Sequence, residues 1–438
     1  MKVAIIGGGA SGLACAIKLA QLNGNLKISI YEKLSFVGKK ILATGNGRCN
    51  LSNFAMDNSC YNGDKNIINN VISNFGTNDL VDFFESLGLK LREEELRLYP
   101  YSMNASSVRE ILEMEAKRLK VEIITDCKVE SLYKDKKEFV INEIYRADFC
   151  ILALGGKATA QHGTDGEGYR LLKNLGIKYN PISPALVQIK IEEDLVKKLK
   201  GVRFEGAISI ANSNVDDEKV EVNISEFSNK NGSFTNPLAT IMEMVTGSLA
   251  LTKAEGEILF TEYGLSGIPV MQISGDVAQM TKNDEKVEIS INFTPDLEKS
   301  ELEEYLKKQS EKFTQVNKTQ SKENFFGPEI LYGLLNEKLA KVIYDISDGN
   351  LKNIIDNLQN FKLTSIGTNS YKYAQVTRGG VSSEELKKNS LESKKVANLF
   401  ITGELLDVDG FCGGYNLHFA FGTGIKAARE VAKLASNK

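Results

Sequence analysis

Val3-Ala-Ile-Ile-Gly-Gly-Gly-Ala-Ser-Gly12 stands almost at the start of the chain. Four apolar residues running into glycine suit a buried parallel strand, and Gly7 to Gly12 after it matches G-x-G-x-x-G. In such a loop Gly7 permits the tight turn, Gly9 lets backbone approach a pyrophosphate, and Gly12 lets helix and strand pack closely. From Gly12 to Leu22 apolar residues recur at Leu13, Ile17 and Ala20, a helical spacing. The start of that helix, around Ala10 and Ser11, offers unpaired N–H groups and the positive end of the dipole to phosphate. Ile28-Ser-Ile-Tyr-Glu32 reads as the next strand, and strand, helix and strand together make a right-handed βαβ unit. Glu32 closes it, 20 positions after Gly12, where an acid accepts from both hydroxyls of a ribose. An acid there disfavours a 2′-phosphate, which leaves FAD or NAD.

Further along, helical periodicity covers 67–87 and 107–119, and short strand-like runs follow at 121–125, 127–133, 138–144 and 149–154. Beyond Pro181 and Pro184 the pattern changes. Residues 207–211, 220–224 and 287–293 alternate apolar with polar, as half-exposed antiparallel strands do. From Pro295 to Leu358 the chain is charged and helical, with Leu302, Leu306, Leu331, Leu334, Leu335 and Leu339 at helix-compatible intervals. After Thr377-Arg-Gly-Gly380 it turns glycine-rich again, and Ala397-Asn-Leu-Phe-Ile401 makes one more buried strand. The expected fold class is α/β: a Rossmann-like dinucleotide domain over 1–184 and 371–438, with an inserted antiparallel β domain over 185–296. A small helical domain over 297–358 is nested in the insertion, and 359–370 is its return strand.

Three further segments decide for FAD. The loop Gly38-Lys-Lys-Ile-Leu-Ala-Thr-Gly-Asn-Gly-Arg48-Cys-Asn50 can pass close to the diphosphate, with Arg48 supplying charge and Asn50 a paired donor and acceptor. Ala153-Leu-Gly155-Gly156 is a glycine pair closing a buried strand, as where a chain crosses over a bound nucleotide. In Gly403-Glu404-Leu-Leu-Asp-Val-Asp409-Gly-Phe-Cys-Gly413-Gly414-Tyr415-Asn416 a strand delivers an acid toward ribityl hydroxyls. The glycine pair then opens a helix whose N-terminus can face the flavin and stabilise the charge of its reduced form. The candidate cofactor residues are these glycines with Ala10, Ser11, Glu32, Lys33, Lys40, Thr44, Arg48, Cys49, Asn50, Val129, Ala153, Glu404, Asp409, Tyr415 and Asn416.

At 438 residues, two or three domains are expected. With 42% hydrophobic and 25% charged residues the balance is globular, and a net charge of -3 is no inducement to nucleic acid. No signal-peptide pattern and no window of 18 apolar residues occur, so a cytoplasmic protein without a membrane span is expected. Six scattered cysteines suggest reduced thiols, and two histidines without a Cys/His cluster make a metal site improbable.

Taken together the motifs resemble those of the BaiN-like and aminoacetone-oxidase-like FAD-dependent oxidoreductases. The family's lysine followed by Thr-Gly-x-Gly-Arg-Cys-Asn stands as Lys40 to Asn50, its Gly-Glu-x-x-Asp…Gly-Gly-Tyr-Asn as Gly403 to Asn416, and its Gly-Glu-x-x-Phe-Thr-x-x-Gly-Leu-Ser-Gly as Gly256 to Gly267. The resemblance runs nearly the whole length. It implies a FAD domain of the glutathione-reductase type with a barrel-like insertion and a helical module within that. One departure is Ile268, which separates Gly267 from Pro269 where the family more often has Gly-Pro.

No second G-x-G-x-x-G marks a separate nicotinamide domain, so NAD(P)H, if it is the donor, docks transiently. No Cys-x-x-Cys pair offers a dithiol relay, and Cys49 and Cys412 read as small packing residues. His162, in Gln161-His-Gly-Thr-Asp-Gly-Glu-Gly168, is a possible general base but reads more simply as part of a polar turn; His418 reads as a capping or packing residue. Glu262 and Tyr263 read as exposed polar residues, and Gly264 to Gly267 as a turn. The catalytic residues and oligomeric state stay open. The expected function is hydride transfer between a small organic substrate and FAD, with NAD(P)H or dioxygen as second partner. The alternatives are an RNA-modifying or RNA-binding flavoprotein and a redox sensor without turnover.

Overall fold

The computed structural model describes residues 1–211, 253–283, 285–316 and 326–437. They form two compact units, one of residues 1–187 with 369–438 and one of residues 188–368.

The first unit is built on a five-stranded sheet ordered Leu399–Ile401, Phe149–Leu152, Lys2–Ile6, Lys27–Tyr31, Glu122–Ile124. Every pairing in it is parallel, with Val3 opposite Phe149 and Ile28. Strands buried on both faces read as unbroken apolar runs, which is why Val3–Ile6 and Phe149–Leu152 were legible. Helix Ala10–Leu22 buries Leu13, Ala14, Ile17 and Leu19. Helix Tyr415–Ser436 crosses it so closely that a Cβ on Gly424 would collide with the Ser11 carbonyl oxygen.

Two readings change in detail. The helical pattern over 67–87 is two helices, Lys65–Ile72 and Thr77–Ser86, because the chain breaks at 73–76 to turn Phe75 into the core. Gly76 N–H then donates to Asp79 Oδ2 at 2.8 Å, which starts the second helix. The run 127–133 becomes strand only from Leu132, since Asp126 and Cys127 donate their N–H groups to the carbonyls of Leu34 and Glu32. Leu132–Asp135, Glu138–Ile141 and Tyr145–Ala147 make a small antiparallel sheet whose second turn places Asn142 and Glu143 at positive φ.

The second unit is a closed six-stranded barrel ordered Ile189–Ile191, Gly264–Ser266, Lys253–Phe260, Arg203–Ala211, Val287–Asn292, Phe361–Thr368. Its strands alternate as expected: Phe361, Leu363 and Ser365 are buried, while Lys362, Thr364 and Ile366 are not. Ile208, Ile258, Phe260, Ile289 and Ile291 fill its core. The expected strand over 220–224 lies outside the described residues. The segment 264–267 is a barrel strand and the start of helix Ile268–Met280 rather than a turn alone. Pro269 in the first turn and Val270, Ile273 and Val277 on the buried face are the signals that identify that helix. Helices Lys299–Val316, Glu337–Ile346 and Leu351–Gln359 hold Leu302, Leu306, Leu339 and Leu358, all fully buried, whereas Leu331 ends the short turn Pro328–Leu331 and Leu334 and Leu335 follow in a non-helical stretch. Among the described residues no helix is long and apolar enough to cross a membrane.

Candidate functional site

The glycine-rich loop is held by contacts that tolerate no side chain. A Cβ on Gly12 would strike the Gly7 carbonyl oxygen, and one on Gly7 would strike that of Ala153. A Cβ on Gly9 would meet nothing within 4 Å, so the backbone beside the helix start is open to an approaching group. Glu32 Oε2 accepts from Gly8 N at 2.8 Å and Oε1 from Leu34 N at 2.9 Å. The carboxylate therefore ties the loop to the end of its strand. Val129 is buried in the segment that follows Cys127, whose N–H donates to the Glu32 carbonyl. Lys33 Nζ turns to Glu167 at 3.0 Å and Asp165 at 3.1 Å.

Gly38 N–H donates to Gly8 O at 2.8 Å, which starts the 38–50 loop against the glycine-rich loop. Thr44 Oγ1 donates to Ile41 O at 2.7 Å, and Gly45 and Gly47 have positive φ. Lys40 Nζ reaches Glu404 Oε2 at 2.8 Å. Glu404 Oε1 accepts from Thr377 N at 2.8 Å, and a Cβ on Gly156 would come within 2.5 Å of that oxygen. Ser11 Oγ donates to Thr402 Oγ1 at 2.7 Å, and Gly403 N donates to Thr423 Oγ1 at 2.9 Å. Four segments far apart in sequence thus meet around the start of helix Ala10–Leu22.

Gly413 and Gly414, with φ 131° and 101°, lie outside the region open to side chains, and Gly414 caps helix Tyr415–Ser436. Asn50 Oδ1 points at this cap. It would stand 2.6 Å from a Cβ on Gly414, and it is buried without a hydrogen-bond partner. A buried acceptor without a donor costs about 1–3 kcal/mol, so a site of this kind calls for a ligand donor. The orphaned acceptor, the open backbone at Gly9 and the two helix N-termini fit a flavin dinucleotide. Asn416 is occupied otherwise, clasping Gly410 N at 2.8 Å and Gly410 O at 2.7 Å. Tyr415 packs edge-on against Tyr61, ring centroids 5.9 Å apart.

Asp409 lies inward, 2% exposed. Its oxygens take Arg378 Nε at 3.0 Å and Nη2 at 3.2 Å, and Asn62 Nδ2 at 3.2 Å. Arg48 lies partly exposed, its guanidinium 5.1 Å from the Tyr99 ring centroid. Burial pushes the Cys49 thiol up to about 12 and that of Cys412 up to about 11, so both stay protonated at neutral pH. His162 is half-buried beside the 38–50 loop, its pKa lowered by burial and by Lys39 and Lys40. His418 is fully buried, with Nδ1 2.8 Å from Ser52 Oγ and Nε2 2.8 Å from Phe75 O. Sequence reasoning missed Thr377 and Arg378, which read only as the border of a glycine-rich stretch. Among the described residues no group of three or more His, Cys, Asp or Glu could hold a metal ion.

Residues 1–430 match the family model described as the HI0933-like protein Rossmann domain. A 3-dehydro-bile acid delta(4,6)-reductase from Clostridium scindens is 36% identical over 441 residues, covering 99% of each chain. A ribosomal RNA dihydrouridine synthase from Haemophilus influenzae is 26% identical, covering 98% of each chain. The Escherichia coli protein of the same name is 25% identical over 99% of this chain and 98% of its own. Among solved structures, the open conformation of a flavocytochrome c3 fumarate reductase aligns at 14% identity and a TM-score of 0.46, covering 99% of this chain and 78% of that one.

Proposed function

The chain belongs to the HI0933-like family of Rossmann-domain proteins and is a FAD-dependent oxidoreductase; from that premise we propose that it reduces a conjugated carbon–carbon double bond in a small organic substrate. The observation that carries the reading is the buried, unpartnered Asn50 Oδ1 at the glycine-opened start of helix Tyr415–Ser436. It supports a cofactor with a ring donor at that place. The full-length likeness to the bile acid reductase supports the reaction class.

When bound, FAD supplies the hydride that the reaction adds to substrate. The residues proposed to hold it divide by place. Gly9, Ala10, Ser11 and Gly12 face the pyrophosphate with backbone N–H groups, Gly7 makes the tight turn before them with its own N–H held by Tyr31 O, and Glu32 accepts from the adenosine ribose while shaping the loop. Lys33 and Val129 flank the adenosine end. Lys40, Thr44, Gly45, Gly47, Arg48 and Cys49 form the loop beside the diphosphate. Ala153, Gly155 and Gly156 close over the nucleotide, and Gly403 and Glu404 border the ribityl chain. Asp409 acts by holding its loop through Arg378. Asn50, Gly413, Gly414, Tyr415 and Asn416 form the flavin end, where the helix dipole favours negative charge on the reduced ring. NAD(P)H is the proposed electron source, with dioxygen as the competing acceptor, and the reaction is placed in the cytoplasm.

The test is anaerobic reduction of the purified yellow protein by NADH and by NADPH, followed by addition of an enone and then of air. Reoxidation by the enone with loss of its double bond is the expected outcome. A protein that contains no FAD, or whose reduced flavin responds only to air, overturns the reading. A second reading puts a uridine in RNA at the site, favoured by the two ribosomal RNA relatives and by Arg48 and Arg92 stacked on Tyr99 and Tyr101. Filter binding of ribosomal RNA at low and moderate salt separates the two.

A further inference from the structure

His418 is fully buried in the first turn of helix Tyr415–Ser436, just after the glycines that open it. Its backbone N–H donates to Gly414 O at 3.0 Å. Its ring is held at both nitrogens, with Ser52 Oγ 2.8 Å from Nδ1 and Phe75 O 2.8 Å from Nε2. The Phe75 ring packs against it as well, centroids 5.2 Å apart.

Counting donors places every proton in this chain. Phe75 O only accepts, so Nε2 carries the ring proton and Nδ1 accepts from the Ser52 hydroxyl. Thr77 Oγ1 spends its proton on Asn53 O at 2.7 Å. None is left for the 3.3 Å approach of Ser52 Oγ to Thr77 Oγ1, so the Ser52 hydroxyl has one acceptor and one orientation. Burial drives the pKa of His418 down to about 4, so the ring is neutral at pH 7 and the arrangement persists there.

Strand Ser52–Asn53 carries this clamp to the opening glycines. A Cβ on Gly414 would stand 2.7 Å from Ser52 O and 2.6 Å from Asn50 Oδ1, and Asn53 Nδ2 donates to Gly413 O at 3.3 Å. A ring of contacts is thereby closed. It runs from the Gly414 carbonyl to His418 N–H, from His418 Nδ1 to the Ser52 hydroxyl, and from the Ser52 carbonyl back onto Gly414. The orphaned Asn50 oxygen belongs to the same short segment. Whatever fixes Ser52 against the helix start therefore also fixes Asn50 there.

We propose that His418 is a positioning residue for the flavin: through Ser52 it sets the spacing between Asn50 and the N-terminus of helix Tyr415–Ser436, and so how strongly the site favours the reduced ring over the oxidised one. The proposal rests on the placement of the flavin at this helix start. The pull of a helix N-terminus on negative charge falls off within one turn, so a loosened spacing weakens the preference for the reduced ring.

The experiment measures the reduction potential of the bound flavin at pH 7 against a reference dye in the wild type, Ser52→Ala, His418→Leu and His418→Gln. Ser52→Ala should lower the preference for the reduced flavin about tenfold, which for a two-electron couple is about 30 mV. His418→Leu should lower it at least as far. His418→Gln should fall between His418→Leu and the wild type, since Gln keeps a donor for Phe75 O and an acceptor for the Ser52 hydroxyl. Nitrogen NMR of the wild type should show Nε2 protonated and Nδ1 bare. Wild-type potentials in Ser52→Ala and His418→Leu, whatever their stability to urea, would make the chain merely structural and overturn the proposal. Should His418→Leu fail to fold, an unmoved potential in Ser52→Ala overturns it alone. A proton on Nδ1, or a folded Ser52→Ala protein that holds no FAD, would overturn it too. A wild-type protein that holds no FAD sinks the flavin reading instead, so the two failures are distinguishable.

Discussion

Lys40 Nζ lies 2.8 Å from Glu404 Oε2, and the two side chains, 25% and 18% exposed, join loops 364 residues apart in sequence. Glu404 uses its other oxygen for Thr377 N–H, so one carboxylate binds three segments of the first unit. Removing either partner strands the other in a partly buried place. Lys40→Met and Glu404→Gln should each cost about 1–3 kcal/mol, and the double variant should cost clearly less than their sum. Urea unfolding of the four proteins checks this, and strictly additive losses would show that the pair is not coupled.

Gly9→Val should abolish FAD retention. A Cβ at Gly9 meets no protein atom within 4 Å, so the substitution does not clash with the fold itself. What it fills is the open space beside the helix start. Loss of a ligand held at 100 times its dissociation constant removes about 2.7 kcal/mol of stability. The variant should therefore be colourless, with an unfolding midpoint near that of the FAD-stripped wild type. Normal FAD content would place the cofactor elsewhere.

Cys49→Ser with Cys412→Ser should leave the rate of flavin reduction largely unchanged. A dithiol relay starts from a thiolate, and thiols pushed up to about 12 and about 11 supply it at well below roughly one part in a thousand at pH 7.5. Stopped-flow reduction of wild type and double variant under the same anaerobic conditions is the measurement. A hundredfold loss with FAD still bound would show that the thiols carry electrons.

Most of this could be read along the chain, and what could not has a physical cause. Val3–Ile6, Phe149–Leu152 and Leu399–Ile401 are legible because strands buried on both faces must be apolar throughout. The barrel strands are legible because one face of each is wet. Residues 73–76, Ser-Asn-Phe-Gly, carry turn formers that the apolar periodicity over 67–87 runs straight through, and Phe75 enters the core at that break. Pairing is a property of the folded chain. Nothing near Asp409 in sequence announces Arg378, and nothing near Asn50 announces that its oxygen ends up alone under Gly414.

Asp409→Asn tests which role that acid has. Arg378 and Asp409 are 6% and 2% exposed, and removing the acid's charge weakens a buried charge-assisted pair, at about 1–3 kcal/mol. The variant should unfold at clearly lower urea while its bound flavin keeps the wild-type absorption maxima. Unchanged stability with a shifted flavin spectrum would instead assign Asp409 to direct contact with the cofactor.

His418 should make the first unit sensitive to mild acid. Phe75 O can only accept, so Nε2 carries the proton, and Nδ1 is then the acceptor for the Ser52 hydroxyl. A second proton would have to displace that bond and put a charge in a fully buried place. Burial accordingly drives the pKa down to about 4, against the opposing pull of Phe75 O and Asp79. In the unfolded chain the group titrates near the ordinary value of about 6.5. Between those values the unfolded state holds more protons than the folded one, so stability falls as pH falls, by about 2 kcal/mol from pH 7 to pH 5. Urea unfolding of wild type and His418→Gln at both pH values isolates this part, since every other group titrates in both proteins. The variant should be weaker than wild type at pH 7 and should lose about 2 kcal/mol less on acidification. Equal losses in the two proteins would mean that His418 is solvated in solution and that the buried Ser52–His418–Phe75 chain does not form.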